Sequence, residues 1–366
     1  MRYVRMPIEV ESPEEYGYGN IRYNLSESSI TDQSLGSLGL TIPDLTLLYN
    51  EHRGSPRLRE LIAAAAPSLS ADDVLVTGGA AGALFIIATS LLGPDDQLVV
   101  IRPNYATNLE TPRAIGCEIA IVDLAFETGF AIDLDAIAAA VTPRTKLISV
   151  TCPHNPTGTM MAEADLRALA DLAAQRGCLL LVDETYRDLS LGEPLPLAAS
   201  LGPHVISVSS LSKAYGAPGI RVGWIVNGDP ALQEKFLAAK EQISICGAVL
   251  NEWVAEQILE QRDAFLARTL PEWRRRLDRV AEWIAGDELL EWVRPQGGVV
   301  CLPRMTVEPM GGCDGFYRRL LGEHGTYVGP GHWFELSDRY FRLGFGWPTY
   351  DELEAGLAGI SATLRG

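Results

Sequence analysis

SSLSKAYGAPGIRVGW, residues Ser209–Trp224, contains Lys213, one of only four lysines in a chain of 366 residues. Arginine supplies nearly every other basic position, so a lysine here is a specific choice. It follows the apolar run HVISV, a predicted strand, and open α/β sheets place their ligand sites at the carboxyl ends of strands. A lone lysine is ordinarily a solvated surface charge. This one has Ser210 and Ser212 before it, Gly216 and Gly219 after it, and Arg221 eight residues on.

Two further segments hold the same kind of position. CPHNPTG (152–158) follows the apolar run TKLISVT, and DETYRD (183–188) follows CLLLV. Working outward, DVLVT, QLVVIRP, CEIAIVDL and GWIVNG read as additional strands. The stretches GGAAGALFIIATSLLG, TNLETPRAIG, LDAIAAAV and AEADLRALADLAAQRG read as the helices between strands. Short Val/Ile/Leu runs separated by helices predict a mostly parallel sheet covered on both faces, an α/β architecture. Past Asp229 the pattern turns helical, in ALQEKFLAAKEQI, the run 251–286 and YDELEAGLAGISATL, with only short strands around GGVVCLP and YFRLGFG. The expected division is a large α/β domain over 45–245 and a smaller α+β domain from 1–44 and 246–366. The Gly-rich stretch EPMGGCDG (308–315) reads as a loop.

Composition removes several function classes. A net charge of −17 argues against a nucleic-acid surface and an anionic membrane face. The N-terminus has no apolar signal region, and the run ALFIIATSLL is too short to span a bilayer. Six scattered cysteines without CxxC spacing suit reduced thiols, so a cytoplasmic location is expected. No HxxxH or HxH pair suggests zinc, and no GxSxG suggests a nucleophile elbow. GGAAGA lacks the GxGxxG spacing of a dinucleotide fold.

The three strand-end segments together supply a lysine, a carboxylate, an amide and a phenol, a combination that pyridoxal phosphate needs. Its aldehyde condenses with an amine, for which Lys213 is the candidate once burial or nearby cations make it a usable nucleophile. Its pyridine nitrogen stays protonated beside a carboxylate, here Asp183. Its ring oxygen needs donors, which Asn155 and Tyr186 carry. Its phosphate calls for hydroxyls, a cation and backbone N–H groups. Ser210, Ser212 and Arg221 offer the first two, and the helix starting in GGAAGA offers the third at its N-terminus.

This set, in this order, resembles the class I/II aminotransferases of pyridoxal phosphate fold type I. The resemblance runs from about Asn24 to Leu357 through YNEHRGSPRLRELIA, VTGGAAGAL, RPNY, CPHNPTG, LLLVDETY, SSLSKAYGAPGIRVGW, RPQGGVVCLP and YFRLGFG. It implies that Tyr105 stacks on the pyridine ring, that Gly79, Ala80 and Ala81 form the phosphate cup, and that Arg342 grips the substrate α-carboxylate as a bidentate pair. It also implies that Tyr49 reaches the phosphate of a neighbouring subunit, which makes a homodimer with shared sites the expected assembly. The loop NLSESS departs from the common pattern and is similar to histidinol-phosphate aminotransferases in carrying Glu27. A carboxylate there suits a basic substrate side chain. The short N-terminus and SKAYG are similar to capreomycidine-synthase-like enzymes. The implied reaction moves an amino group between an α-amino acid and a 2-oxo acid. The alternative is a lyase, cyclase or oxidase reaction on the same cofactor.

Overall fold

The computed structural model describes all residues from Met1 to Gly366. Its centre is a seven-stranded sheet. The strands are β1 (Val74–Thr77), β2 (Gln97–Arg102), β3 (Glu118–Asp123), β4 (Thr145–Thr151), β5 (Leu179–Asp183), β6 (Val205–Ser210) and β7 (Gly223–Val226). Their spatial order is β1-β7-β6-β5-β4-β2-β3. β7 runs antiparallel to both β1 and β6, and the remaining pairs are parallel.

The period-2 geometry of a strand explains why the middles of these runs are mostly apolar on both faces. Leu98 and Val100 of β2 point into one core with Leu84 and Ile87 of the helix Gly79–Leu91 and Phe236 of the helix Pro230–Ile243. Val99 and Ile101, their sequence neighbours, point into the opposite core with Ile137, Leu166 and Leu169. Those three come from the helices Leu134–Ala140 and Glu163–Arg176. Both faces are therefore buried, and no position in the strand could be polar without an internal partner.

The third and largest core lies outside the sheet's helical layers. It joins Leu25, Leu58, Tyr215, Trp273, Phe316, Phe341 and Leu357, and so gathers the N-terminal segment with the C-terminal region. Tyr23–Asn24 pairs in parallel with Thr326–Tyr327, and Phe341–Gly344 pairs with strands on both sides. The strand pairings join 1–44 to 246–366, the grouping proposed from sequence, while Leu58 and Tyr215 carry the same core into 45–245. The helix Pro230–Ile243 packs on Gly79–Leu91 and β1, which supports keeping it with 45–245.

Two stretches differ from the sequence expectation. The helical run 251–286 is two helices, Val249–Glu260 and Arg262–Ala285, separated at Gln261. The stretch 308–315 is not loop throughout: Gly311 takes a left-handed φ of 75° and Gly312 opens the helix Gly312–His324. Phe316 and Leu320 on that helix are buried at helical spacing, which stabilises it despite glycines in its first turn.

Candidate active site

Twelve of the fourteen residues singled out from sequence line one cavity of about 520 Å³ at the carboxyl ends of β4, β5 and β6. They are Glu27, Ala80, Ala81, Tyr105, Asn155, Asp183, Tyr186, Ser210, Ser212, Lys213, Arg221 and Arg342. The two outside are Gly79 and Tyr49. Gly79 lies directly beneath the wall: φ is +80°, and a Cβ there would meet Arg221 Nη2 at 2.6 Å. Tyr49 is 77 % exposed on a segment without helix or strand, and this chain's own cavity does not include it.

Asp183 ends β5 and is buried. Its Oδ1 accepts from the Thr185 backbone N–H at 3.1 Å and the Thr185 hydroxyl at 2.5 Å. No protein donor reaches its other oxygen. Burial pushes the carboxyl above its ordinary value, while the Thr185 hydrogen bonds and Lys213 pull it down. A cation placed against the free oxygen would restore the carboxylate, which is what a protonated pyridine nitrogen provides.

Lys213 follows β6 by three residues. Its Nζ donates to the Ser28 hydroxyl at 2.8 Å, so the amine is held at the cavity by the N-terminal segment. Burial lowers its proton affinity; Glu27 opposes this, and Arg342 and Arg221 reinforce it. The loop around it is anchored from two sides. Ile30 N–H donates to the Lys213 carbonyl, and Gln33 N–H donates to the Gly216 carbonyl. On the far side the Tyr215 hydroxyl donates to Asp188 at 2.6 Å, and Arg262 donates to the same carboxylate.

Arg342 sits on the strand Phe341–Gly344 and is 4 % exposed. It donates to Asn155 Oδ1 at 3.3 Å and to the Ser26 carbonyl at 2.7 Å, and its buried Nε has no partner. The guanidinium stands over the Phe334 and Trp333 rings, 5.2 and 5.7 Å from their centroids. The Tyr186 hydroxyl donates to the Ser28 carbonyl at 2.6 Å, so the expected donor to the cofactor's ring oxygen is engaged by the protein. Burial raises the phenol's pKa. Ser210 accepts from the Ser212 backbone N–H at 3.3 Å. Arg221 adopts a left-handed φ of 50° and donates to the Pro218 carbonyl at 3.1 Å.

Other site residues escape a reading of strand-end motifs. Ile8, Glu9, Ser12, Pro13, Glu14, Tyr18 and Asp32 line the cavity from the N-terminal segment. Glu9 accepts from the Tyr105 hydroxyl at 3.3 Å, and Tyr18 donates to Glu27 at 3.1 Å. Burial raises the Glu27 carboxyl, with Lys213 acting against it and Glu14 with it. The N-terminal segment is clasped from outside: Glu11 accepts from Trp333 Nε1 at 2.7 Å and lies 2.9 Å from His332 Nε2. Behind the Asn155 loop, buried His154 donates Nε2–H to the Pro103 carbonyl at 2.8 Å, and Thr157 meets Nδ1 at 2.7 Å. This pins the loop to the segment that carries Tyr105. Its only sequence signal is a histidine inside a strand-end motif.

A free amine, a half-satisfied carboxylate and a serine- and arginine-rich rim beside a helix N-terminus fit a phosphorylated pyridine aldehyde. Comparison with known proteins agrees. Fold type I enzymes dependent on pyridoxal phosphate are the class to which this architecture conforms. The model for "Aminotransferase class I and II" matches residues 41–360, and the chain belongs to that family. It is a pyridoxal phosphate-dependent aminotransferase by family. It is 34 % identical over 359 residues to capreomycidine synthase of Streptomyces vinaceus, covering 95 % of this chain and 91 % of that one. It is 32 % identical over 313 residues to arginine–pyruvate transaminase of Pseudomonas aeruginosa, covering 81 % and 77 % respectively. The solved structure of the PLP-dependent cyclase OrfR superposes with a TM-score of 0.89 at 30 % identity, covering 100 % of this chain and 98 % of that one. No helix is long and apolar enough to cross a membrane.

Proposed function

We propose that the donor amino acid is cationic, and that its amino group passes to a 2-oxo acid. The observation that carries this is the polarity of the cavity. Buried Arg342, with one unpaired N–H, lies in the same chamber as Glu9, Glu14, Glu27 and Asp32. An α-carboxylate suits the first and a distal positive charge suits the others. The name of the arginine–pyruvate transaminase relative supports the same substrate class.

When bound, pyridoxal phosphate supplies a carbonyl that condenses with amines and a ring that withdraws electrons. Lys213, whose amine lies in the cavity against the Ser28 hydroxyl, would hold the cofactor and is placed to take up a proton from the substrate α-carbon. Depressed proton affinity suits that role, because a permanently charged ammonium cannot act as a base. Asp183 keeps the pyridine nitrogen protonated. Tyr105 would cover the ring and Asn155 would donate to its oxygen, a role Tyr186 would share once its hydroxyl leaves the Ser28 carbonyl. Gly79, Ala80 and Ala81, with Ser210, Ser212 and Arg221, hold the phosphate. Arg342 and Asn155 orient the α-carboxylate, and Glu27 faces the side chain.

The proposed assembly is a homodimer in which Tyr49 completes the partner's phosphate site. Support comes from the exposure of Leu47, Leu48 and Tyr49, at 81, 61 and 77 %. A cytoplasmic location is part of the same proposal and is supported by six unpaired cysteines. The test is amino transfer from arginine, ornithine and lysine to pyruvate and 2-oxoglutarate. Reaction with acidic or aromatic donors but none of the cationic ones overturns the substrate reading.

A second reading keeps the cofactor and closes a ring on the substrate. The likeness to capreomycidine synthase and to a cyclase structure favours it. Dependence on the acceptor separates the two: a transaminase stops without a 2-oxo acid, and a cyclase turns over without one.

A further inference from the structure

We propose that Asp32, aimed by Trp347, on whose ring Tyr18 stacks, is with Glu14 the recognition point for a distal guanidinium on the substrate. This rests on the reading of a cationic donor and names the residues and cation type that satisfy it. Glu27, the one acid legible in sequence, stands between Ser26, whose carbonyl accepts from Arg342, and Ser28, whose hydroxyl accepts from Lys213. It therefore lies toward the reacting end. A long cationic side chain held at Arg342 by its carboxylate extends past Glu27 toward the mouth, where Glu14, Tyr18 and Asp32 are exposed.

The mouth is a built arrangement. Trp347 Nε1 donates to Asp32 Oδ2 at 2.9 Å, fixing the carboxylate from the C-terminal region. The Tyr18 ring stacks on Trp347, centroids 6.2 Å apart and planes 14° from parallel, and its hydroxyl donates to Glu27. One aromatic pair thus couples Asp32 to Glu27, and the Tyr18 ring lines the cavity with them. A guanidinium is planar, weakly hydrated, stacks on aromatic faces and donates in a fork to carboxylates. An ammonium, compact and strongly hydrated, gains less from such a surface. The buried guanidinium of Arg342, which lines the same cavity, independently calls for an anionic group at the opposite end of the ligand. Together they match the dipolar outline of a guanidino amino acid.

The test compares wild type with Asp32→Asn, Glu14→Gln and Trp347→Phe, all in cofactor-loaded protein. Steady-state kinetics use arginine, lysine and norleucine. Calorimetry follows 5-guanidinopentanoate, which carries the guanidinium and carboxylate but no amine to react. Wild type should prefer arginine over lysine. Asp32→Asn should raise KM for arginine about tenfold with little change in kcat, and weaken the calorimetric affinity by the same order. Trp347→Phe keeps the ring stack and loses the N–H, so it should show a smaller shift of the same kind; a purely structural role would move kcat and melting temperature instead. Unchanged arginine KM and probe affinity in both Asp32→Asn and Glu14→Gln overturn the inference while leaving a cationic donor standing. Preference for lysine over arginine overturns the guanidinium assignment. Preference for norleucine over both cations overturns the donor reading itself.

Discussion

Lys213 Nζ donates to the Ser28 hydroxyl at 2.8 Å across 185 positions of sequence, joining the N-terminal segment to the loop after β6. The Tyr186 hydroxyl donates to the carbonyl of that same Ser28. One residue therefore sets both the amine and the phenol. Replacing Lys213 by Ala should remove turnover and the visible absorbance of the cofactor-loaded protein together; retention of both would remove Lys213 from the chemistry. Ser28→Ala leaves the carbonyl bond to Tyr186 and deletes only the hydroxyl. Its expected effect is a shift in the pH dependence of that absorbance with cofactor retained, read by spectrophotometric titration.

Arg342 donates through two guanidinium nitrogens to different elements, Asn155 and Ser26, and keeps a third N–H free. Lysine cannot reproduce a planar fork, so Arg342→Lys is not conservative here. The expected result is a rise in KM of roughly ten- to a hundredfold for every amino acid donor, equivalent to about 1.4–3 kcal/mol of lost binding. Donor identity should not matter, because the α-carboxylate is common to all. A loss confined to arginine would place Arg342 at the side chain instead.

Gly216 lies in the left-handed region at φ +58°, and a Cβ there would stand 2.3 Å from the Thr31 carbonyl oxygen. That contact is where the N-terminal segment lies on the Lys213 loop. Gly216→Ala combines backbone strain with a clash against backbone, so destabilisation of roughly 1–3 kcal/mol is expected. Thermal melts of apo protein check it. A neutral result would mean that the N-terminal segment is not seated on this loop.

These relationships show how far the sequence could be read. Lys213, Asp183 and Asn155 were legible because each follows a short run rich in Val, Ile and Leu, and a strand buried on both faces can end in only one kind of place. Arg342 and Tyr105 needed the family resemblance, since an arginine in FRLG or a tyrosine in RPNY carries no chemistry by spacing alone. Glu9, Glu14, Tyr18 and Asp32 were not legible. They stand in three short helical turns and irregular chain with no periodicity, and reach the cavity only through packing such as Glu27 backbone against Gly344 and Ile30 N–H on Lys213. The helix Gly312–His324 was hidden for a local reason, its opening glycines having low helix propensity.

His154 is buried as the neutral imidazole, and burial takes its pKa down to about 4. The unfolded chain binds the proton first as pH falls, so this contribution is whole above about 6.5 and is lost progressively toward about 4. A shift of that size corresponds to roughly 3 kcal/mol. Glu184 works the other way over much of this range, its buried carboxyl being raised to about 7. The effect is therefore read as a difference: denaturant melts of wild type minus His154→Gln should converge as pH drops from 7 to 4. A difference that stays constant with pH would mean His154 titrates normally in the fold.

His332 lies between two carboxylates, 2.9 Å from Glu11 through Nε2 and 2.9 Å from Asp338 through Nδ1. Partial burial lowers its proton affinity, but the hydrogen bonds and charges of Glu11 and Asp338 outweigh that and raise its pKa overall. Asp314, Tyr317, Tyr327 and Arg318 line the same groove. The sign is opposite to that of His154. The protonated imidazole stabilises the fold fully below the unfolded histidine value, and the gain disappears as pH rises through the folded one. Because Glu11 continues into Ser12, Pro13 and Glu14 of the cavity wall, the clasp also bears on the site. His332→Gln should lower the melting temperature at mildly acidic pH and match wild type at alkaline pH. In the same pH range it should raise KM for the donor more than it lowers kcat. Equal melting temperatures at every pH would show that the ion pairs add nothing to the N-terminal segment's attachment.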